Sequence, residues 1–125
     1  MADDLQEEIK KIAEKIPGCL YVSLVGYDGI SVAQHINEGE HEITLYDAEI
    51  SSLMLASREV KNNLNLGNER ELIWLTDKYF LVIYPAGSDY FLYACLKPAG
   101  SNPGVARIEL NKGRDTLAKI LYPQG

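Results

Sequence analysis

Residues 72–96 read LIWLTDKYFLVIYPAGSDYFLYACL. Three apolar runs stand close together here, ELIWL (with Glu71 in front), YFLVIY and YFLYACL, and the connectors TDK and PAGSD are short and rich in turn formers. Connectors of that length join antiparallel neighbours, so the stretch predicts a three-strand meander over Arg70–Thr76, Tyr79–Tyr84 and Tyr90–Leu96. Within each run, apolar residues follow one another instead of alternating with polar ones. A sheet that is apolar on both faces has to be covered on both, which places helices on either side.

Working outward, LYVSLVGYDGISVAQH (20–35) joins two further apolar runs through Tyr27-Asp28-Gly29. Asp-Gly between such runs is a hairpin signal, because Gly accepts positive φ without steric cost and Asp tolerates it. Strands are expected at Cys19–Val25 and Ile30–Ile36. Gly26 and Gly29 would also let a backbone approach a phosphate, but no helix N-terminus follows to supply converging N–H donors, so the turn is read as a chain reversal. Ahead of it, Leu5, Ile9, Ile12, Ala13 and Ile16 recur at helical spacing, which predicts an amphipathic helix over Asp3–Ile16, stopped by Pro17-Gly18. NEGEHEIT (37–44) is a solvated loop.

A second helix is expected over Tyr46–Leu66, with Ile50, Leu53, Met54, Ser57, Val60 and Leu64 on its core side. Its opposite side carries Ala48, Ser51, Ser52 and Leu55, then Arg58 and Glu59 a turn later. Small residues around an out-of-place Leu let another helix come close. The last helix starts at Asn102-Pro103, an N-cap followed by Pro at the first helical position, and runs to Leu121. Ala106, Leu110, Leu117, Ile120 and Leu121 form its core stripe. Gly113 interrupts it at a cost of about 1 kcal/mol relative to Ala, which predicts a kink or a close backbone contact. The order α-β-β-α-β-β-β-α describes an α+β architecture in one domain, residues 1–125: a five-stranded antiparallel sheet with helices on both faces. No repeat, low-complexity tract or linker interrupts it.

Composition narrows the function. A net charge of −6 and a pI near 4.8 argue against nucleic acid as a partner, since such affinity rests on Lys and Arg neutralising phosphates. Lys10, Lys11 and Lys15 alternate with Glu7, Glu8 and Glu14, the pattern of a solvated helix face. Cys19 and Cys95 sit in apolar runs without C-x-x-C spacing and read as packed thiols in a reduced, cytoplasmic protein. With neither a signal-peptide pattern nor a spanning apolar run, no direct membrane insertion is expected.

Catalytic constellations are scarce. The chain has no G-x-x-x-x-G-K-[ST] loop, no G-x-S-x-G elbow and no H-E-x-x-H. His35, Glu38, Glu40, His41 and Glu42 are the one concentrated set of potential metal ligands, but a flexible acidic loop offers neither rigid placement nor supporting hydrogen bonds. Neither cysteine has a partner that would lower its pKa. Tyr79, Tyr84, Tyr90 and Tyr93 suit cross-strand packing better than base stacking in so acidic a chain. No cofactor, metal or catalytic residue is therefore assigned.

IPGCLYVSLVGYDGISVA (16–33), the meander at 72–96 and NPGVARIELNKGRDTLAKIL (102–121), with Gly104 and Arg107, together resemble the roadblock family of dynein light chains, GTPase-holding scaffold subunits and MglB-type regulators. Cys19 stands where that pattern usually has an aliphatic residue. The resemblance implies a homodimer, or a heterodimer with another roadblock chain, in which third strands pair edge to edge and second helices pack side by side. It further implies that a Ras-like small GTPase docks on the face carrying both second helices, and that the module itself is non-catalytic. The candidate interface is then Ala48, Ser51, Ser52, Leu55, Arg58 and Glu59 of the second helix with Arg70, Leu72 and Trp74 of the third strand. Charges in NERELIWL (68–75) either protect that edge or pair across a two-fold axis. Arg58 as an arginine finger is not favoured, because a helical surface Arg is usually solvated or paired. A small-ligand or metal-sensing domain of similar shape is the alternative, and it would use a pocket between sheet and helices or the acidic loop.

Overall fold

The computed structural model describes residues 2–124. Its elements follow the expected order: α1 (Ala2–Lys15), β1 (Cys19–Gly26), β2 (Ser31–Ile36), α2 (Ile43–Asn63), β3 (Leu72–Leu75), β4 (Phe80–Ala86), β5 (Tyr90–Leu96) and α3 (Pro103–Leu121). The strands form one sheet in the order β2-β1-β5-β4-β3, antiparallel at every pairing. β1 and β5 are central and fully or almost fully buried along their length, which is why their sequences do not alternate.

Strand alternation sends successive side chains to two separate cores. Val22, Leu24, Val82, Leu92 and Ala94 meet Leu5, Ile9, Ile12 of α1 and Ala106, Leu110, Leu117 of α3. Tyr21, Val25, Ile83, Phe91 and Tyr93 meet Ile43, Ile50 and Met54 of α2 on the other face. The Asp-Gly turn is a chain reversal: Gly29 has φ +87°, Gly26 N–H donates to the Ile30 carbonyl at 2.9 Å, and Ile30 N–H donates to Asp28 Oδ1 at 3.0 Å. Asn102 caps α3 by accepting from the Gly104 and Val105 N–H groups. Gly113 marks a close contact, since a Cβ there would collide with the Ile12 side chain where α1 crosses α3.

Two expectations need correction. Helices do not cover both faces of the whole meander, because β3 lies at the sheet edge with Ile73, Trp74 and Leu75 40%, 51% and 57% exposed. The core stripe of α2 also ends early: Met54 is its last buried residue, while Val60 and Leu64 are exposed. Both have the same cause. The buried part of α2 packs over β1 and β5 at the centre of the sheet, so its second half and β3 face each other with no element above them.

Candidate functional site

Large exposed apolar side chains mark the site. Leu45, Leu55, Val60, Leu64, Leu66, Ile73, Trp74 and Leu75 all lie on α2, β3 or the loop between them; of the other four among the described residues, Ile30, Val32 and Ile36 lie on or beside β2 and Ile108 lies on α3. Leu45, Val60, Leu66, Ile73 and Trp74 among them line the hollow between α2 and β3, which makes it the candidate interaction surface. Two grooves run between α2 and β3. One, of about 530 Å³, is lined mainly by Leu53, Val60, Leu66, Leu72, Trp74 and Ile83. The other, of about 620 Å³, lies between Leu45, Tyr46, Ser52, Leu53, Trp74 and Leu81. Leu53 and Trp74 belong to both, so the grooves form one apolar trough.

The edge beside the trough is open. Thr76 N–H donates to the Tyr79 carbonyl at 3.1 Å, which fixes the phase of the β3–β4 ladder. Trp74 and Leu72 therefore turn their peptide groups toward β4, while Ile73 and Leu75 turn theirs outward. Among the described residues nothing bonds to those outward groups. The opposite edge is capped at one residue. There Asn37 N–H donates to the Leu20 carbonyl, so Gln34 is an outward-facing residue of β2. Its carbonyl accepts from Gln6 Nε2 at 2.6 Å, and its N–H donates to Gln6 Oε1 at 3.3 Å.

α2 is fastened to the sheet by a buried polar cluster that periodicity did not reveal. Asp47, 2% exposed, accepts on Oδ1 from Ser23 Oγ at 3.0 Å and from Tyr93 Oη at 2.7 Å; Tyr93 and Tyr21 hydroxyls lie 2.9 Å apart. Burial raises the Asp47 carboxyl above the ordinary carboxylate value, against the hydrogen bonds from Tyr93 and Ser23 that favour its charged form. Burial, with Tyr21 beside it, likewise pushes the Tyr93 phenol up. The one sequence signal was an acidic residue in a position flanked by Ile43, Ile50 and Met54, one turn before and one or two turns after it.

Around this anchor the expected interface residues divide. Ala48, Ser52, Leu55 and Glu59 are exposed along the outer side of α2, and Ser52 lines the trough with Trp74. Arg70 is exposed just before β3. Ser51 does not project outward: it is buried and donates to the Tyr27 carbonyl at 2.8 Å, because α2 rests on the Tyr27-Asp28-Gly29 turn at that point. Arg58 is likewise engaged, with its guanidinium 3.9 Å from the Tyr27 ring centroid and Nη2 donating to the Ser88 carbonyl at 2.9 Å. Leu72 is half-buried at the floor of the trough.

The alternative sites look different in three dimensions. Glu38 pairs with Lys97 at 2.7 Å, and a His41 ring nitrogen lies 2.8 Å from the Glu38 carbonyl. Among the described residues, no three His, Cys, Asp or Glu side chains come together in a metal-ligating group. Burial pushes the Cys19 and Cys95 thiols up to about 12, so both stay protonated and inert near neutral pH. Among the described residues no helix is long and apolar enough to cross a membrane.

No protein-family model matches the sequence, and no curated protein matches it. Solved structures do match. An MglB with a tetrameric arrangement superposes with a TM-score of 0.86 at 15% identity, over 95% of this chain and 88% of the other. A roadblock/LC7 domain from Streptomyces avermitilis gives 0.82 at 17% identity, over 93% and 96% of the two chains. MglC from Myxococcus xanthus gives 0.69 at 24% identity, over 96% and 99%. At these identities the likeness is one of fold: the chain has the roadblock/LC7 fold.

Proposed function

We propose that this chain is a non-catalytic, homodimeric module that regulates or scaffolds a Ras-like small GTPase in the cytoplasm. The observation that carries the dimer is the unequal treatment of the two sheet edges. At β2 the Gln6 side chain occupies the outward peptide groups of Gln34, whereas at β3 nothing among the described residues bonds to the outward groups, which an apolar trough flanks. A free, apolar edge is a hazard unless something pairs with it. Two copies related by a two-fold axis would pair β3 with β3, place Trp74 near its counterpart and cover the trough with the partner's α2.

The GTPase rests on the resemblance in the sequence and on the fold shared with MglB. Such a dimer would present both copies of the Ala48, Ser52, Leu55 and Glu59 side on one surface. A regulator acts by binding one nucleotide state better than the other, since only differential affinity moves an equilibrium. The chain lacks a phosphate loop of its own, and the buried thiols give no nucleophile.

The test combines solution mass with titration against purified Ras-like GTPases loaded with GDP or a non-hydrolysable GTP analogue. Two copies per particle and a tighter complex with one nucleotide state are expected. A monomer refutes the dimer. Equal affinity for both states refutes regulation while leaving a scaffold. Binding of labelled GTP by the isolated chain refutes the proposed division of labour.

A further inference from the structure

We propose that the outer edge of β2 is a second self-pairing surface for another copy of this chain, and that Gln6 holds it closed. The strand SVAQHI carries none of the usual edge guards, neither Lys or Arg nor Asp, Glu or Pro. A bulge between Leu24 and Val25 disturbs only its first residues, which leaves Ala33–Ile36 in regular register with β1. Ile30, Val32 and Ile36 are 66%, 42% and 42% exposed along and beside it. Such an edge, without Lys, Arg, Asp or Glu and flanked by exposed Val32 and Ile36, is complementary to itself when turned antiparallel.

Gln6 supplies the missing guard. Its carboxamide carries an acceptor oxygen and a donor NH2 side by side, and each engages Gln34. In an antiparallel ladder, a hydrogen-bonded pair exchanges two N–H···O bonds between residues facing each other. Gln34 facing Gln34 of a second copy would make that same pair of bonds, so Gln6 and the second copy compete for identical groups. The competition is between an intramolecular contact from a well-packed helix, Leu5 and Ile9 being buried on either side of Gln6, and an intermolecular one that adds apolar contact from Ile30, Val32 and Ile36. Removing the carboxamide leaves the second outcome unopposed.

Sedimentation of the full chain over a wide concentration range tests this with wild type, Gln6→Ala, Gln6→Leu and Gln6→Ala/Val32→Lys. Gln6→Leu keeps much of the side-chain bulk but offers neither donor nor acceptor to Gln34, so it opens the lock without adding a charge. Both single variants should melt near wild type and reach at least twice its limiting mass, and Val32→Lys should restore the wild-type mass. Folded single variants that keep the wild-type mass at every concentration overturn the proposal, as does a rise in mass that Val32→Lys leaves unchanged. The β3 dimer is tested separately. If it fails, wild type is a monomer and Gln6→Ala stops at two copies; if it holds, Gln6→Ala pairs at both edges and grows without closing.

Discussion

Ile73→Pro separates the pairing role of β3 from its structural one. Pro removes a backbone N–H, and on an edge strand the loss is tolerated when that N–H faces solvent. The Thr76–Tyr79 hydrogen bond places the Ile73 N–H on the outer edge, so the ladder to β4 keeps all its bonds and the monomer should stay folded. In a two-fold β3–β3 pairing the change occurs twice. Each lost bond weakens association by about 1–2 kcal/mol, counting the carbonyl left without its donor. The dimer should then weaken by roughly 2–4 kcal/mol, about 30- to 700-fold in Kd. Sedimentation equilibrium reads this directly, with chemical denaturation confirming that Ile73→Pro is folded. Trp74→Pro is the control: its N–H points to β4, so it should destabilise the monomer itself. An unchanged dimer mass in folded Ile73→Pro would refute edge pairing at β3, and equal damage from both variants would refute the assigned phase.

Other expectations follow from the same surfaces. Leu55→Arg adds two like charges near the helix contact and should lower the dimer mass in light scattering, whereas a full-strength dimer removes this side of α2 from the contact. Glu59→Arg should weaken GTPase binding by about 1–3 kcal/mol if central to the complex, read by calorimetry on protein whose mass is unchanged. Arg58 is a poorer probe, because its guanidinium also holds the Tyr27 ring and the Ser88 carbonyl. Gly113→Ala should destabilise by about 1–3 kcal/mol, seen as a lower melting temperature, since its methyl would collide with Ile12.

Much of this fold is legible in the sequence, and the exceptions share a physical cause. Turn chemistry and apolar runs locate all five strands, because these are local signals: Asp28-Gly29, Thr76-Asp77-Lys78 and Gly87-Ser88 each act within a few residues. The candidate interface is only half legible. Ala48, Ser52, Leu55 and Glu59 follow from helical spacing, but Ser51 sits a residue from the exposed side and turns inward once the Tyr27 carbonyl is beside it. Val60 and Leu64 look like core for the same reason that Met54 is core. Periodicity reports which side of a helix is apolar, and only the sheet beneath decides whether that side is covered. Gln6, an unremarkable polar position on α1, becomes meaningful only once β2 lies alongside it.

Asp47 supplies the last test, and it concerns how α2 is held. A folded-state carboxyl raised above its ordinary value of 3.8 takes up a proton at a pH where the unfolded chain does not. As pH falls through that raised value toward 3.8, this group therefore adds stability to the native state. Glu71 works the other way: the bonds from Arg107 and Tyr84 hold its carboxyl below 4.5, so its contribution is lost as pH falls. Subtracting Asp47→Asn from wild type cancels Glu71 and every other shared group. The difference in unfolding free energy should shift in favour of wild type on acidification across that window and level off below it. Asp47→Ala differs again, because it leaves the buried Tyr93 and Ser23 hydroxyls without their acceptor and should cost about 1–3 kcal/mol for each hydroxyl at neutral pH. A difference curve that is flat, or that favours Asp47→Asn at low pH, would mean that the hydrogen bonds from Tyr93 and Ser23 outweigh the burial of the carboxylate. An Asp47→Ala variant as stable as wild type at neutral pH would mean that α2 is not fastened through this side chain. The first half of α2 would then be held by Ile43, Ile50 and Met54 alone, and the side it offers to a partner would owe its orientation to apolar packing.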